Sequence, residues 1–189
     1  MYYVLGRNTK PRRWVDNEPF IKGVSFWRGA KIVKDFELPL AYELQPLNPD
    51  AAEDAPYMPS TLAVKIPLFR TDLLEALERA GVQNLDCYDA IVKDPDDGTV
   101  HTNYKAVNIL GLVGAADMAK SVATVHDGGP LIDVDFDKLV VDEKKARGLL
   151  FFRLAESTNA IMVAESVRDH LLKSGFDDLE FYKPNEVAL

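Results

Sequence analysis

The spacing of apolar residues along the chain changes period several times, and each change marks an element. Leu73, Leu74, Leu77 and Ala80 recur at helical spacing. Asp72 with Glu75 three positions on supplies a start signal and Gly81 a stop, which predicts a helix. A second helix is predicted to start at Ser166, whose hydroxyl accepts the Asp169 amide while the Asp169 side chain returns the bond. Val167, Leu171 and Leu172 form its apolar side, and Gly175 closes it. Runs rich in β-branched and aromatic residues predict short strands at 2–5, 23–27, 42–47, 62–66, 85–92, 100–104, 107–113, 131–136, 139–141, 149–154 and 160–163. Pro95, Asp96, Asp97 and Gly98 form a chain reversal. The run 107–113 lacks alternation, as a strand covered on both faces does. Residues 48–59, NPDAAEDAPYMP, have little to bury and read as a surface loop. Two helices among many short strands, without regular βαβ alternation, predict one α+β domain over 1–189 with a largely antiparallel or mixed sheet.

The length of 189 residues and 47% hydrophobic content are enough for a core that needs no disulfide or structural metal. A net charge of −8 argues against a protein that coats a phosphate backbone, so nucleic acid is not an expected partner. The charge is uneven: residues 1–36 carry +5 and residues 37–189 carry −13. The basic segment is therefore expected to pack against the acidic remainder, or else to form a separate contact surface. Cys87 stands alone, so no internal disulfide forms, and the cytoplasm is the expected compartment. Positive charges follow the first apolar residues, the reverse of a secretion signal, and the longest apolar run, 109–116, is too short to span a membrane.

Candidate chemistry is sparse. His101, His126 and His170 are far apart in sequence and lack a ligand pattern. Asp133, Asp135 and Asp137 in IDVDFD share one strand face, with Ile132, Val134 and Phe136 on the other. As a calcium loop that run fails, because Lys138 stands where glycine is needed and Lys144 where glutamate is needed. A solvated edge-strand face, or an acidic binding surface, remains. Ser157 and Ser166 lack a nucleophile elbow, and Cys87 beside Asp86 reads as a half-buried strand cysteine with a raised pKa. Gly111 and Gly114 lack the lysine of a phosphate loop and indicate a bulge or close packing. Arg153, flanked by Leu149, Leu150, Phe151, Phe152 and Leu154, is expected to be buried and paired, with Glu156 and Glu165 as nearby carboxylates and backbone carbonyls as the other option. No catalytic residue, cofactor-binding residue or metal ligand is assigned.

Two segments, NYKAVNILGLVGAADMAKS at 103–121 and LLFFRLAESTNAIMVAESVRDHLLKSGFDDLEF at 149–181, resemble a bacterial family of polymorphic-toxin immunity proteins, immunity family eleven. The resemblance rests on Tyr104, Ala106, Val107, Asn108, Asp117 and Ser121, then on Phe152, Arg153, Leu154 and Gly175, and extends to 73–88. It implies a binding protein that neutralises a cognate toxin and carries no established chemistry. Two other classes stand beside it: a small cytosolic hydrolase or transferase, and a regulatory binding module. Residues 86–143 carry a net charge of −8. Asp94, Asp96, Asp97, Asp133, Asp135 and Asp137 are therefore the candidate surface for a basic toxin, with Tyr88 and Tyr104 as aromatic anchors. Neutralising the six aspartates is expected to slow association and leave the fold intact. The segment around Arg12, Arg13 and Trp14 is the next candidate.

Overall fold

The computed structural model describes residues 1–6, 10–62, 64–126 and 133–189. In chain order the first strands are β1 (Tyr2–Leu5), β2 (Val15–Asn17), β3 (Leu40–Leu44), β4 (Thr61–Leu62) and β5 (Leu68–Arg70). Helix α1 (Thr71–Arg79) follows, then β6 (Leu85–Lys93), β7 (Val100–His101), β8 (Tyr104–Ile109), β9 (Leu112–Val113), β10 (Val122–His126) and β11 (Asp133–Lys138). The chain continues through β12 (Phe151–Leu154), β13 (Ile161–Ala164), α2 (Glu165–Lys173), β14 (Phe181–Tyr182) and a 3-10 turn at Pro184–Glu186. The fold is α+β, built on mixed sheets with two α-helices among the described residues.

One sheet runs β14-β1-β13-β12-β9, a second contains β2-β3-β6-β8-β5-β4 with β7 on the end of β6, and β10 and β11 form a hairpin of their own. The named pairings are antiparallel except β3 with β6 and β9 with β12. The centre of the second sheet explains how a chain of this size holds two hydrophobic clusters. On β5, Leu68 faces one cluster and Phe69 the other; on β8, Tyr104 and Ala106 face the first while Val107 and Ile109 face the second. The two-residue period of a strand sends neighbouring side chains to opposite faces, so a sheet covered on both sides needs apolar residues in succession. The run beginning at Val107 shows that pattern.

The helices pack on the larger cluster through Leu73, Ala76 and Leu77 of α1 and Val167 and Leu171 of α2. Both predicted N-caps differ from the structure. Asp72 lies inside α1, where its carboxylate accepts Arg70 Nε at 2.8 Å and Nη2 at 2.9 Å and the Leu73 amide at 2.8 Å. The guanidinium holds it beside the first turn, where its charge still suits the helix dipole. Ser166 is likewise inside α2, because the helix starts directly from β13 at Ala164, and Asp169 turns to Arg168 instead of back to the first turn.

Of the strands expected at 23–27 and 139–141, the first is a series of turns and bends around buried Phe26. The second is reduced to an isolated bridge between Ala116 and Val141. Apolar residues there are buried without a ladder, a distinction periodicity does not make. Among the described residues of 62–66 only Leu62 is paired, and the longer strand begins after Pro67; Ala63, Leu131 and Ile132 of the expected strands lie outside the described residues. The segment 48–59 carries no strand and is held by the backbone of Arg12 and Arg13, whose amides donate to Glu53 and Tyr57 carbonyls at 2.9 Å. Among the described residues, no helix is long and apolar enough to cross a membrane.

Two buried phenols make the fold sensitive to alkali. Burial raises the ionisation of Tyr42 and Tyr104 well above the ordinary phenol range. In an unfolded chain both lose their protons near pH 10, whereas the folded chain keeps them, so stability present below about pH 10 declines as pH rises past it. In an ultraviolet titration of tyrosinate absorbance, Tyr42 and Tyr104 are expected to ionise last of the seven tyrosines, together with unfolding. Smooth ionisation of all seven before any loss of structure would contradict their burial.

Candidate functional site

The hairpin of β10 and β11 is amphipathic. Val134 and Phe136 are buried, while Asp133, Asp135 and Asp137 are exposed, so the three carboxylates line one solvent-facing strand side as their spacing predicts. Backbone bonds anchor this strand: the Val134 amide donates to the Glu156 carbonyl at 3.0 Å, and the Phe136 amide to the Leu189 carbonyl at 2.8 Å. On the paired strand, His126 Nε2 lies 2.7 Å from Asp135 Oδ2. That hydrogen bond and the carboxylate's charge raise the imidazole above its ordinary value. His126 therefore takes up a proton more readily on mild acidification, which reduces the negative charge of this face. Thr124 and His126 lie opposite Asp135 and Asp133 on this face, whereas Val125, though exposed, lies opposite buried Val134 on the other.

The other aspartates sit differently. Asp94, Asp96 and Asp97 share the turn between β6 and β7, where Gly98 adopts a φ of +76°. Arg13, only 2% exposed, reaches this turn, with Nη2 2.7 Å from Asp94 Oδ1 and Nη1 bonded to Asp96. Asp96 also accepts the Leu47 amide at 3.1 Å, and the Arg13 guanidinium first, then this amide, hold its carboxyl below the usual range. Asp97 accepts the Thr99 amide at 2.8 Å, which lowers its carboxyl likewise. The basic N-terminal segment thus meets the acidic remainder through a buried arginine. Asp94 and Asp96 serve that contact, so neutralising all six aspartates would disturb the fold as well as the surface. The turn belongs to the sheet of β6, and β11 packs on the larger cluster; the six residues are carried by separate parts of the molecule.

The aromatic candidates are similarly divided. Tyr104 is fully buried and its hydroxyl donates to the Pro59 carbonyl, which removes it from the accessible surface. Tyr88 is half-buried against Phe26 and Phe36, with ring centroids 5.6 and 5.1 Å away. Cys87 lies on β6 with its side chain reaching solvent instead of half-buried, and desolvation, then Asp86, raises its thiol. Among the described residues, no three His, Cys, Asp or Glu side chains are gathered so as to hold a metal ion.

Arg153 is buried at 1% exposure as expected, and of the two kinds of partner expected the structure shows a backbone carbonyl and neither carboxylate. Glu156 accepts the Ala116 amide, and Glu165 faces Tyr3 and Arg168. Arg153 Nη1 donates to the Thr158 carbonyl at 2.8 Å, and its guanidinium carbon lies 4.3 Å from the centre of the Trp27 ring. Burial pushes this guanidinium down to about 10. An isolated charge in the interior costs stability, so Arg153→Met is expected to raise folding stability by about 1 kcal/mol, the reverse of what an internal ion pair would give. Thermal melting checks the sign, and a clear loss of stability would show a missing counter-charge.

Two buried features had little signal in the sequence. Arg13 looked like one basic residue among several, and Asp178, 3% exposed, accepts the Ser60 amide at 2.6 Å and the Ser60 hydroxyl at 2.7 Å. Both pairings cross more than 80 residues, with no local pattern to reveal them. No family model and no curated protein matches the chain.

Proposed function

We propose that this chain is an immunity-type protein that binds a cognate bacterial toxin in the cytoplasm and occludes it, without catalysis of its own. The observation that carries the reading is the exposed row Asp133, Asp135 and Asp137, fixed in orientation by buried Val134 and Phe136. An acidic strand face whose backbone is tied to Glu156 and Leu189 suits a basic protein partner, because opposite charge speeds encounter. The residues of the family resemblance support the reading in a second way. Ala106, Val107, Phe152 and Leu154 are core, and Asn108 Nδ2 donates to the Ala30 carbonyl at 2.9 Å. They are scaffold positions, as a shared fold with a variable binding surface would require.

The test is co-expression with the toxin encoded beside the gene. Growth restored by this chain, together with recovery of a complex of the two proteins, is the expected result. Unrestored growth in the presence of folded chain would reject the reading.

A further inference from the structure

A cavity of about 850 Å³ opens between the β12–β13 connection, the segment after β4 and the β1 end of the first sheet. Its size lies within the range of small-molecule sites. Leu62, Pro67, Phe69 and Ile161 supply apolar walls, and Trp27 and Arg153 lie together in the lining. Ile161, the first residue of β13, is only half-buried and lines this space.

The pairing of Trp27 with Arg153 is built into the backbone. Gly29 has a φ of +64°, and a side-chain carbon there would lie 2.5 Å from the Leu112 amide nitrogen. Only glycine allows that approach. The Gly111 amide donates to the Gly29 carbonyl at 2.9 Å, and the Arg153 amide donates to the Gly111 carbonyl at 3.0 Å. This chain of contacts, with Asn108 holding Ala30, seats the indole over the guanidinium.

Of the guanidinium's five N–H donors, one bonds to a described residue. Nη1 donates to Thr158, whereas buried Nε has no partner, and Nη2 makes no hydrogen bond to any described residue. Nε and Nη2 together form the side-on edge that fits a carboxylate with two parallel bonds. Arg70 in this same protein uses that edge on Asp72, at 2.8 and 2.9 Å. A buried cation with this edge unsatisfied is costly unless something occupies it.

We infer that this cavity binds a small monocarboxylate with an apolar body, its carboxylate on Nε and Nη2 of Arg153 and its body along Leu62, Phe69 and Ile161. The indole of Trp27 covers one face of the guanidinium, and Nε is unpartnered and shielded from solvent. A carboxylate suits the paired Nε and Nη2 donors of Arg153, and the second cation of the lining, Lys65, is exposed and already 3.5 Å from Glu18. Asp133, Asp135 and Asp137 do not line this cavity, although Leu189 of its lining pairs with Phe136 of β11, and the test of the site needs no toxin.

The probe is octanoate, with 1-octanol as the uncharged compound of equal length. Binding is read by calorimetry and by Trp27 fluorescence in a Trp14→Phe background, where Trp27 is the sole indole. Octanoate is expected to bind saturably at about 0.1 to 1 mM, and octanol about tenfold or more weaker. Arg153→Met is expected to abolish the preference for the carboxylate, with its fold verified by circular dichroism. Absence of saturable octanoate binding, equal binding of octanol, or a carboxylate preference retained in folded Arg153→Met would each overturn the site. If Arg153→Met does not fold, the octanoate and octanol comparison in the unsubstituted chain decides alone.

Discussion

Asp94→Ala is expected to lower folding stability by about 3 kcal/mol, more than any other substitution of a surface-loop carboxylate in this protein. Arg13 is 2% exposed, and its guanidinium has two carboxylates for partners while its Nε has none. Asp94 is the better buried of the two, with a side chain 14% exposed against 36% for Asp96. Without it, a buried charge is left with a single partner near solvent, and Asp94 Oδ1 no longer accepts the Asp96 amide that shapes the turn. Leaving a buried cation short of counter-charge is costlier than removing the pair altogether. Asp94→Ala combined with Arg13→Met should therefore recover much of the loss. Urea denaturation of the single and double variants measures this coupling. An Asp94→Ala variant as stable as the parent would mean that Arg13 is solvated and unpaired.

Leu77→Ala carries the other large effect, a loss of about 2 to 5 kcal/mol. Leu77 is 1% exposed and lies on the face of α1 that packs with Leu73 and Ala76 into the larger cluster. The Val82 amide closes the helix end onto the Leu77 carbonyl at 3.0 Å, which limits how far the site can collapse around a cavity. Leu74, only partly buried on the same helix, should cost clearly less when truncated. Chemical denaturation separates the two. Equal, small losses at both positions would show that α1 does not dock by this face.

The elements with strong periodicity were legible from the sequence. Leu73, Leu77, Val167 and Leu171 are buried as their spacing predicts, whereas Leu172, read on the apolar side of the second helix, is exposed and Leu74 only partly buried; the alternation of Asp133 to Asp137 reported which way β11 faces. The misreadings have physical causes. Side-chain caps at Asp72 and Ser166 lost to an arginine and to a direct strand-to-helix junction. The segment around Phe26 buries its ring without pairing its backbone, and β10, mostly exposed, lacks the apolar face that announces a strand. The end of the run 107–113, read as covered on both faces, is only partly buried at Leu112 and Val113, because β9 forms the edge of its sheet. The candidate surface was half legible. Exposure of Asp133, Asp135 and Asp137 follows from a two-residue period, whereas the tie of Asp94 and Asp96 to Arg13 crosses 81 and 83 residues and leaves no local trace.

Association kinetics of the triple variant Asp133→Asn, Asp135→Asn and Asp137→Asn with the toxin encoded beside the gene test the acidic hairpin most directly. These three carboxylates serve no buried cation among the described residues, so the fold should be unaffected. Exposed charges act by long-range steering that salt screens. The expected result is an association rate about tenfold slower than the parent at low salt, with the two rates converging as salt is raised. An unchanged rate with unchanged salt dependence would contradict the hairpin as the toxin-binding face.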